Sequence, residues 1–295
     1  MTRPRRVRII VNPIAGSGTA PARARRVRDA LAAAGCDAES VTTDAAGHAA
    51  RLARDAVADS ADVVLVCGGD GTVNEAVQGL AGTHTALAVM PLGTANVLGH
   101  ELGLGRSARR VTDLVLRGRR RRLDLGLGDG RFFICMASVG FDAWVTEHMA
   151  RWRRGGINYL SYLRPTWRAF WDYPFEPLDV RVDGVPLKRP VRHIVVGNVR
   201  SYGGPFMMTP AARPDDGLLD ACVFEAAGRA ALVFYMAAAA VHVHHRFRGA
   251  SCLRGRKIEV GCARPVAMQM DGDFKGHAPV TFEAAPGAIT VLSAR

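Results

Sequence analysis

Five short stretches carry residues whose types and spacing could hold a phosphate or a cation and move a proton. Gly68-Gly69-Asp70-Gly71-Thr72 sets three glycines around one acid, between an apolar run ending at Cys67 and a helical pattern that starts near Thr72. Each glycine costs backbone entropy on folding, and a plain helix cap needs one acid without such glycine density. The functional reading is a backbone saddle beneath a triphosphate, with Asp70 near its Mg²⁺. The plain reading is a tight strand-to-helix turn capped by Asp70. Pro91-Leu92-Gly93-Thr94-Ala95-Asn96 repeats the arrangement after the next strand. Two Gly-Thr loops at the carboxyl ends of neighbouring strands would line one crevice, where open α/β sheets bind ligands.

The other three stretches are less specific. Asn12-Pro13-Ile14-Ala15-Gly16-Ser17-Gly18 lies between a first strand and a first helix, where glycine amides and a helix N-terminus favour an anion. It lacks the Gly-Lys-Ser/Thr ending of a Walker A loop, and a structural turn reads equally well. Asp271-Gly272-Asp273 and Asp215-Asp216-Gly217 supply acids in a hairpin turn and a solvated turn. One carboxylate with carbonyl oxygens could hold a hard cation.

Strand and helix signals alternate through the first part of the chain. Val7 to Val11, Asp62 to Cys67 and Ala86 to Met90 read as strands. Pro21 to Ala34, Gly47 to Ala58, Thr72 to Leu80, Ala95 to Leu102 and Ser107 to Leu116 read as helices. Uncharged strands separated by helices imply a parallel sheet covered on both faces. Past Arg119 to Arg122 the pattern changes to short runs: Arg121 to Leu127, Phe132 to Ala137, Leu178 to Val182, His193 to Asn198, Leu219 to Phe224, Lys257 to Gly261, Val266 to Met270, Val280 to Glu283 and Ala288 to Leu292. Their Gly, Pro and Asp punctuation predicts an antiparallel sandwich or barrel, interrupted by helices around 143–153, 158–171 and 229–242. The expected division is an α/β domain over 1–124 and a β-rich domain over 125–295, with the last strand able to return to the first domain.

The 295 residues hold 39 Lys plus Arg against 27 Asp plus Glu, a formal charge of +12. That composition excludes a disordered or fibrous chain and favours anionic partners. Six cysteines without a Cys-x-x-Cys pair read as reduced thiols in the cytoplasm. No export signal is evident, and the longest apolar run, Ala230 to Val241, is too short to span a bilayer. All four tryptophans fall between Trp144 and Trp171, interleaved with Arg151, Arg153, Arg154, Arg164, Arg168, Tyr159 and Tyr162. Such a segment suits an anionic membrane surface or the core of the second domain. His242, His244 and His245 at a helix end read as favourable charge placement, with only a faint suggestion of metal.

Taken in order, these residues resemble the diacylglycerol kinase catalytic domain family, in particular the bacterial soluble lipid kinases related to sphingosine and ceramide kinases. The set comprises N-P-x-x-G-x-G at 12–18, Thr43 before Gly47-His48-Ala49, G-G-D-G-T-x-N-E at 68–75, P-x-G-T-x-N at 91–96, Leu123-Asp124-Leu125-Gly126, Asp215 to Asp220, and Asp271-Gly272-Asp273. The resemblance implies an ATP site in an interdomain cleft, using Asn12, Pro13, Ile14, Ala15, Gly16, Thr43, Gly68, Gly69, Asp70, Gly71, Thr72, Val73, Asn74 and Thr94. It also implies Asp273 as the proton acceptor, Asp70 near the nucleotide metal, and a further Mg²⁺ held by Asp216 with the carbonyls of Arg213 and Leu218. Two departures stand out. Val97 replaces an acid common in relatives, so an acidic network through Asp70 and Asp124 is one member short, and the base is Asp where bacterial relatives often have Glu.

The leading expectation is therefore an ATP- and Mg²⁺-dependent lipid kinase, cytoplasmic and peripheral at an anionic membrane. No nucleic-acid partner is expected of it, and an exposed edge strand could pair two copies. An NAD kinase shares the G-G-D-G-T loop. A non-catalytic nucleotide- or nucleic-acid-binding protein is the third reading, suggested by the charge and by Val97.

Overall fold

The computed structural model describes residues 5–152, 159–203, 206–225 and 227–294, without the side chains of 150–165. The chain divides into two compact units, Met1–Leu125 with Pro286–Arg295, and Gly126–Ala285.

The first unit alternates strand and helix: β1 (Arg6–Val11), α1 (Ala20–Ala33), β2 (Asp37–Thr42), α2 (His48–Ala58), β3 (Val63–Gly68), α3 (Asp70–Leu80), β4 (Ala86–Pro91), α4 (Val97–Glu101) and α5 (Ala108–Arg117). Strand β5 (Arg119–Gly128) then leaves the unit. The sheet is parallel in the order β2-β1-β3-β4, and the end of the chain's last strand adds beside β4 through Val291 and Leu87. β3 and β4 are buried at every residue, as a sheet covered on both faces requires. Ala20, Ala24, Val27 and Leu31 of α1 and Val111, Leu114 and Val115 of α5 close one core with Val7, Ile9, Leu65 and Met90. α2 and α3 pack on each other. The sequence reading missed β2, whose Asp-Ala-Glu-Ser-Val-Thr is half exposed at the sheet edge and lacks an apolar signature.

The second unit contains β6 (Arg131–Phe133), β7 (Met136–Val139), α6 (Phe141–Trp152), α7 (Tyr159–Asp172), β8 (Leu178–Val182), β9 (Val185–Pro186), β10 (His193–Gly197), β11 (Ser201–Tyr202), β12 (Phe206–Met207), β13 (Leu219–Phe224), α8 (Arg229–Ala240), β14 (Ala250–Gly255), β15 (Lys257–Cys262), β16 (Val266–Met270) and β17 (Asp273–Ala278). β18 (Val280–Ser293) begins here and ends in the first unit. One antiparallel sheet runs β14-β13-β10-β7-β16-β17. The other pairs the start of β18 with β15, β15 with β8, and β8 with β9. Phe133, Val139, Ile194, Val223 and Met268 meet Val180, Ile258, Val260 and Phe282 in one core, so the expected sandwich is present.

The structure departs from the sequence expectation at four places. Phe132 to Ala137 is two strands, because the Asp271 carboxylate draws the amides of Ile134, Cys135 and Met136 out of the ladder, each at 2.9 Å. Pro286-Gly287 does not end a strand. Gly287 takes a positive φ of 54° and gives its N–H to Asp124 Oδ1 at 2.6 Å, so β18 continues through it. β14 and β17 were missed: β14 does not alternate apolar with polar residues, and the alternation of β17 is carried only by Phe274 and Ala278 around Gly276 at φ 127°.

Phe282 is fully buried and meets Phe133 edge to face at 5.9 Å. Phe282→Ala should destabilise the second unit by about 3 to 5 kcal/mol. A denaturant midpoint within error of wild type would contradict this packing.

Candidate functional site

In the first unit the motif loops all leave the carboxyl ends of the parallel strands. β3 and β4 pair in register up to Gly68 and Pro91, and Leu92 N–H returns to the Gly68 carbonyl at 2.8 Å. Beyond that point the loops touch through bare backbone. A Cβ on Gly69 would lie 3.0 Å from the Gly93 Cα, and one on Gly93 only 2.5 Å from the Gly69 Cα. Both positions have ordinary φ, so glycine is required here by space and not by dihedral preference. The first loop is tied in by Gly16 N–H to the Leu92 carbonyl at 2.9 Å and by Asn12 Nδ2–H to Thr72 Oγ1 at 3.0 Å. Thr43 N–H bonds the Val11 carbonyl at 2.9 Å. Asn12 to Gly16, Thr43, Gly68 to Asn74 and the Gly93 to Asn96 turn therefore surround one end of one sheet. Asn96 pins its own loop by accepting from Gly93 N–H at 2.7 Å and donating to the Gly93 carbonyl at 2.6 Å.

Asp70 occupies the first turn of α3, and Gly69 rather than Asp70 stands at its N-cap. Its Oδ1 accepts the Val97 amide at 2.8 Å, so the acid caps the neighbouring helix α4. Burial pushes the Asp70 carboxyl above its ordinary 3.8, while backbone amides from Asn96, Val97 and Leu98 pull the other way. A partly desolvated carboxylate at a glycine cradle fits a divalent cation, which would offset the cost of burying its charge. Asp124 is buried and anchors Gly287. Its carboxylate thus serves the passage of β18, a use the motif alone did not suggest.

In the second unit Asp271 and Gly272 both take positive φ, 49° and 87°, in a two-residue turn joining β16 to β17. The two acids of this turn have opposite roles. Asp271 is consumed by the three amides of Ile134, Cys135 and Met136, whereas the Asp273 side chain is 38% exposed and lies 3.4 Å from Lys275 Nζ. The turn is held from behind by Gln269, whose Oε1 accepts the Gly272 amide at 2.8 Å. Opposite Met268 and Gln269 the partner strand β17 bulges by one residue, Lys275, while β16 keeps unbroken register with β7.

Gln269 also reaches a site that sequence reading missed. Its Nε2 donates to Ser138 Oγ at 2.9 Å and to Asp142 Oδ2 at 3.3 Å. Asp142 further receives the Ser138 and Tyr202 hydroxyls and faces His193 Nδ1 at 3.7 Å. Burial lowers the His193 pKa, and burial followed by the Asp142 charge raises that of Tyr202. This polar cluster borders a cavity of about 120 Å³ whose walls include Phe141, Phe224, Leu232, Met236 and Ala239. No spacing rule would have found it, since its wall comes from α6, α8 and four strands.

Asp216 Oδ1 accepts the Leu218 amide at 3.2 Å, and its Oδ2 faces the Arg254 guanidinium at 3.6 Å, beside the Arg254 to Asp220 pair at 3.2 Å. The carboxylate that the resemblance assigned to a further Mg²⁺, with the carbonyls of Arg213 and Leu218, thus neighbours a guanidinium. In the Trp and Arg segment, Trp144 packs into an aromatic cluster with Phe141 and Tyr173, while Trp167 and Trp171 are exposed. Residues 153–158 and the side chains of Arg151, Trp152, Tyr159, Tyr162 and Arg164 lie outside the described residues.

Comparison with known proteins agrees with this layout. The family model of the diacylglycerol kinase catalytic domain matches residues 6–127, and that of the YegS C-terminal NAD kinase beta sandwich-like domain matches residues 135–293. A diacylglycerol kinase of Mycobacterium tuberculosis (strain ATCC 25618 / H37Rv) is 31% identical over 306 residues, spanning 98% of this chain and 96% of its own. A diacylglycerol kinase of Bacillus subtilis (strain 168) is 25% identical over 281 residues, spanning 94% and 93%. A crystal structure of a diacylglycerol kinase from Bacillus anthracis str. Sterne superposes with a TM-score of 0.77 over 99% of this chain and 98% of that one, at 23% identity, which speaks to fold.

The Asp70 environment generates a prediction with a definite sign. Because the folded pKa is raised, the carboxyl favours the folded state most below its ordinary 3.8, and that contribution is lost as pH rises through the folded value. Asp70→Asn keeps the Oδ1 acceptor for Val97, so at pH 7 its melting temperature should equal or exceed wild type while its affinity for Mg²⁺-ATP falls. A marked loss of stability at pH 7 would show that the charge itself holds the loop.

Proposed function

Since the chain belongs to the diacylglycerol kinase catalytic domain family, whose members are lipid kinases, we propose that it transfers the γ-phosphate of ATP to the hydroxyl of a diacylglycerol-class lipid. The observation that carries the acceptor side of this reading is Gln269, which joins an apolar cavity to the turn bearing Asp273 inside one unit. A cavity of this size takes a benzene-sized apolar group or the first carbons of a chain. Its Phe, Leu and Met walls offer little to the two riboses of NAD, which argues for a lipid acceptor over a dinucleotide.

Phosphoryl transfer needs positioning and charge neutralisation more than covalent help. The Gly68 to Asn74 loop, with Asn12 to Gly16, Thr43 and Thr94, binds the nucleotide, and its glycines admit phosphate to the backbone amides. Mg²⁺, when bound, would neutralise phosphate charge, with Asp70 as its protein partner. Asp273 takes the proton of the acceptor hydroxyl as that oxygen bonds to the γ-phosphorus, and the bridging oxygen leaves with ADP. Asp271 and Gln269 hold the turn so that the carboxylate stays aimed.

The membrane face shifts from its expected position. Trp167 and Trp171 on α7 are joined by exposed Val233, Phe234 and Met236 on α8. Arg229 links the two helices, its guanidinium 5.3 Å over the Trp171 ring. Apolar side chains flanked by cations suit the boundary of an anionic bilayer, reinforced by the +12 charge. Among the described residues no helix is long and apolar enough to cross a membrane.

Asp273→Asn should lower turnover on diacylglycerol by about 10² to 10⁴, roughly 3 to 5 kcal/mol of barrier, with ATP affinity retained. The assay is a lipid panel in mixed micelles at saturating ATP, with products identified by mass spectrometry. Retention of more than about a tenth of the rate would remove Asp273 as the base. Asp271→Asn is the contrasting variant, since its amide cannot accept all three backbone N–H groups. It should cost about 1 to 3 kcal/mol of stability.

The membrane reading makes a separate prediction. Trp167→Glu and Phe234→Glu should each weaken binding to anionic vesicles while leaving turnover on a short-chain, micelle-free substrate intact. Flotation unaffected by both variants and by salt would sink the docking face.

A further inference from the structure

Beyond the kinase reading, the second unit holds a cluster that phosphoryl transfer does not use. Cys222 on β13 and Cys252 on β14 are register partners across an antiparallel pair, with their sulfurs 3.0 Å apart. His244, in the 3₁₀ turn His244–Arg246 after α8, brings a ring nitrogen within 4.8 Å of both sulfurs. Among the described residues this is the one group of three His, Cys or acidic side chains so arranged. Cys222 and His244 are fully buried, and Cys252 is exposed.

The hydrogen bonding of the imidazole decides what the cluster is for. His244 Nε2 lies 3.0 Å from the Met208 carbonyl, which can only accept, so Nε2 carries the proton. Nδ1 is therefore a bare lone pair, and it is buried without a hydrogen-bond partner. Such an orphan costs free energy unless something occupies it. An imidazole with one nitrogen fixed by a backbone carbonyl and the other lone pair free is the arrangement that metal-ligating histidines adopt. Two sulfurs and one imidazole nitrogen form a soft donor set.

We propose that Cys222, Cys252 and His244 bind one Zn²⁺ ion, with its fourth position open toward solvent on the Cys252 side. At Zn–S distances of about 2.3 Å in tetrahedral geometry the sulfurs would sit about 3.8 Å apart, so they must part by less than 1 Å. Closure to a disulfide would require a similar movement inward to about 2.05 Å and would leave His244 Nδ1 unsatisfied. Occupancy therefore resolves all three side chains, whereas oxidation resolves two. The ion would clip the turn after α8 to the β13 and β14 pair. Phe224, which packs against the His244 ring at 5.8 Å, also lines the apolar cavity. The inference does not depend on the kinase reading, because its readouts are metal uptake and stability.

The test uses the full chain, free of any tag, reduced with a phosphine and cleared of chelator. Zn²⁺ is titrated in competition with a chromophoric indicator, and Co²⁺ is added in parallel as a spectroscopic probe. The expected result is one Zn²⁺ per chain, a rise in melting temperature on addition of Zn²⁺, and thiolate-to-cobalt charge-transfer absorption. Cys252→Ser, at an exposed position that should leave the fold intact, and His244→Gln should each weaken Zn²⁺ binding by more than about 100-fold, beyond what loss of an outer-shell partner costs. Both should abolish the Zn²⁺-dependent thermal shift. Failure of the reduced wild type to take up Zn²⁺, or uptake unchanged in both variants, would overturn the site. So would a chain that forms the Cys222 to Cys252 disulfide and, once reduced, still binds no metal.

Discussion

The nucleotide-side loops depend on one steric fact, the direct approach of the Gly69 and Gly93 backbones. β3 and β4 deliver those residues side by side because they run parallel and in register to Gly68 and Pro91. With any side chain at either position the two loops would separate, since the added carbon would fall within 2.5 to 3.0 Å of the opposite Cα. Once the loops touch, Leu92 can return to Gly68, Gly16 can bond Leu92, and Asn12 can reach Thr72. The cradle is thus built from backbone amides whose positions come from sheet register, which is why a Gly-rich loop at a strand end suits phosphate better than flexible cationic side chains would.

Carboxylates fix the remaining geometry. Asp70, Asp124 and Asp271 each accept backbone N–H groups, an interaction roughly twice as strong as a neutral hydrogen bond. Each does so where the chain departs from regular structure: the start of α4, the Gly287 passage of β18, and the break between β6 and β7. Asp273 stands apart because the amides beside it go to Asp271, leaving its own carboxylate half exposed next to Lys275. Three amide bonds fix the Asp271 carboxylate against the backbone. Within Asp271-Gly272-Asp273 one acid builds the turn and the other is the more exposed of the pair.

How far the sequence revealed this differs by residue. Continuous apolar runs such as Val63 to Cys67 declare buried parallel strands, and the alternating units follow from them. β2 was silent because an edge strand needs no apolar face, and β17 because its period of two rests on only Phe274 and Ala278, with Gly276 between them. The Gly-Asp-Gly loop was legible as a glycine turn between strand and helix, but the target of the Asp70 carboxylate was not, since Val97 lies 27 positions away and no local spacing relates them. Likewise His244 read as a helix-end charge. Its partners, Cys222 and Cys252, meet it only through strand pairing and the turn after α8. Cavities are the extreme case, because a wall assembled from α6, α8, β10 and β13 leaves no mark on any one segment.

The second unit then poses a question of charge. Asp142 lies at the edge of an apolar cavity, where an unpaired carboxylate would be costly. It is kept there by the Ser138 and Tyr202 hydroxyls and by the Gln269 amide. Gln269 itself is fully buried: both donors of its amide group go to Ser138 and Asp142, and its carbonyl accepts from Gly272. Its hydrogen bonds fix its orientation. The Asp273 turn is therefore tied to the cavity's polar edge through a single side chain. β16 itself keeps unbroken register with β7 through Met268, Gln269 and Met270, while the extra residue opposite Met268 and Gln269, Lys275, lies on β17. That bulge shifts the register of β17 just past Asp273, and so sets which residues of β17 stand beside the carboxylate proposed to receive the proton.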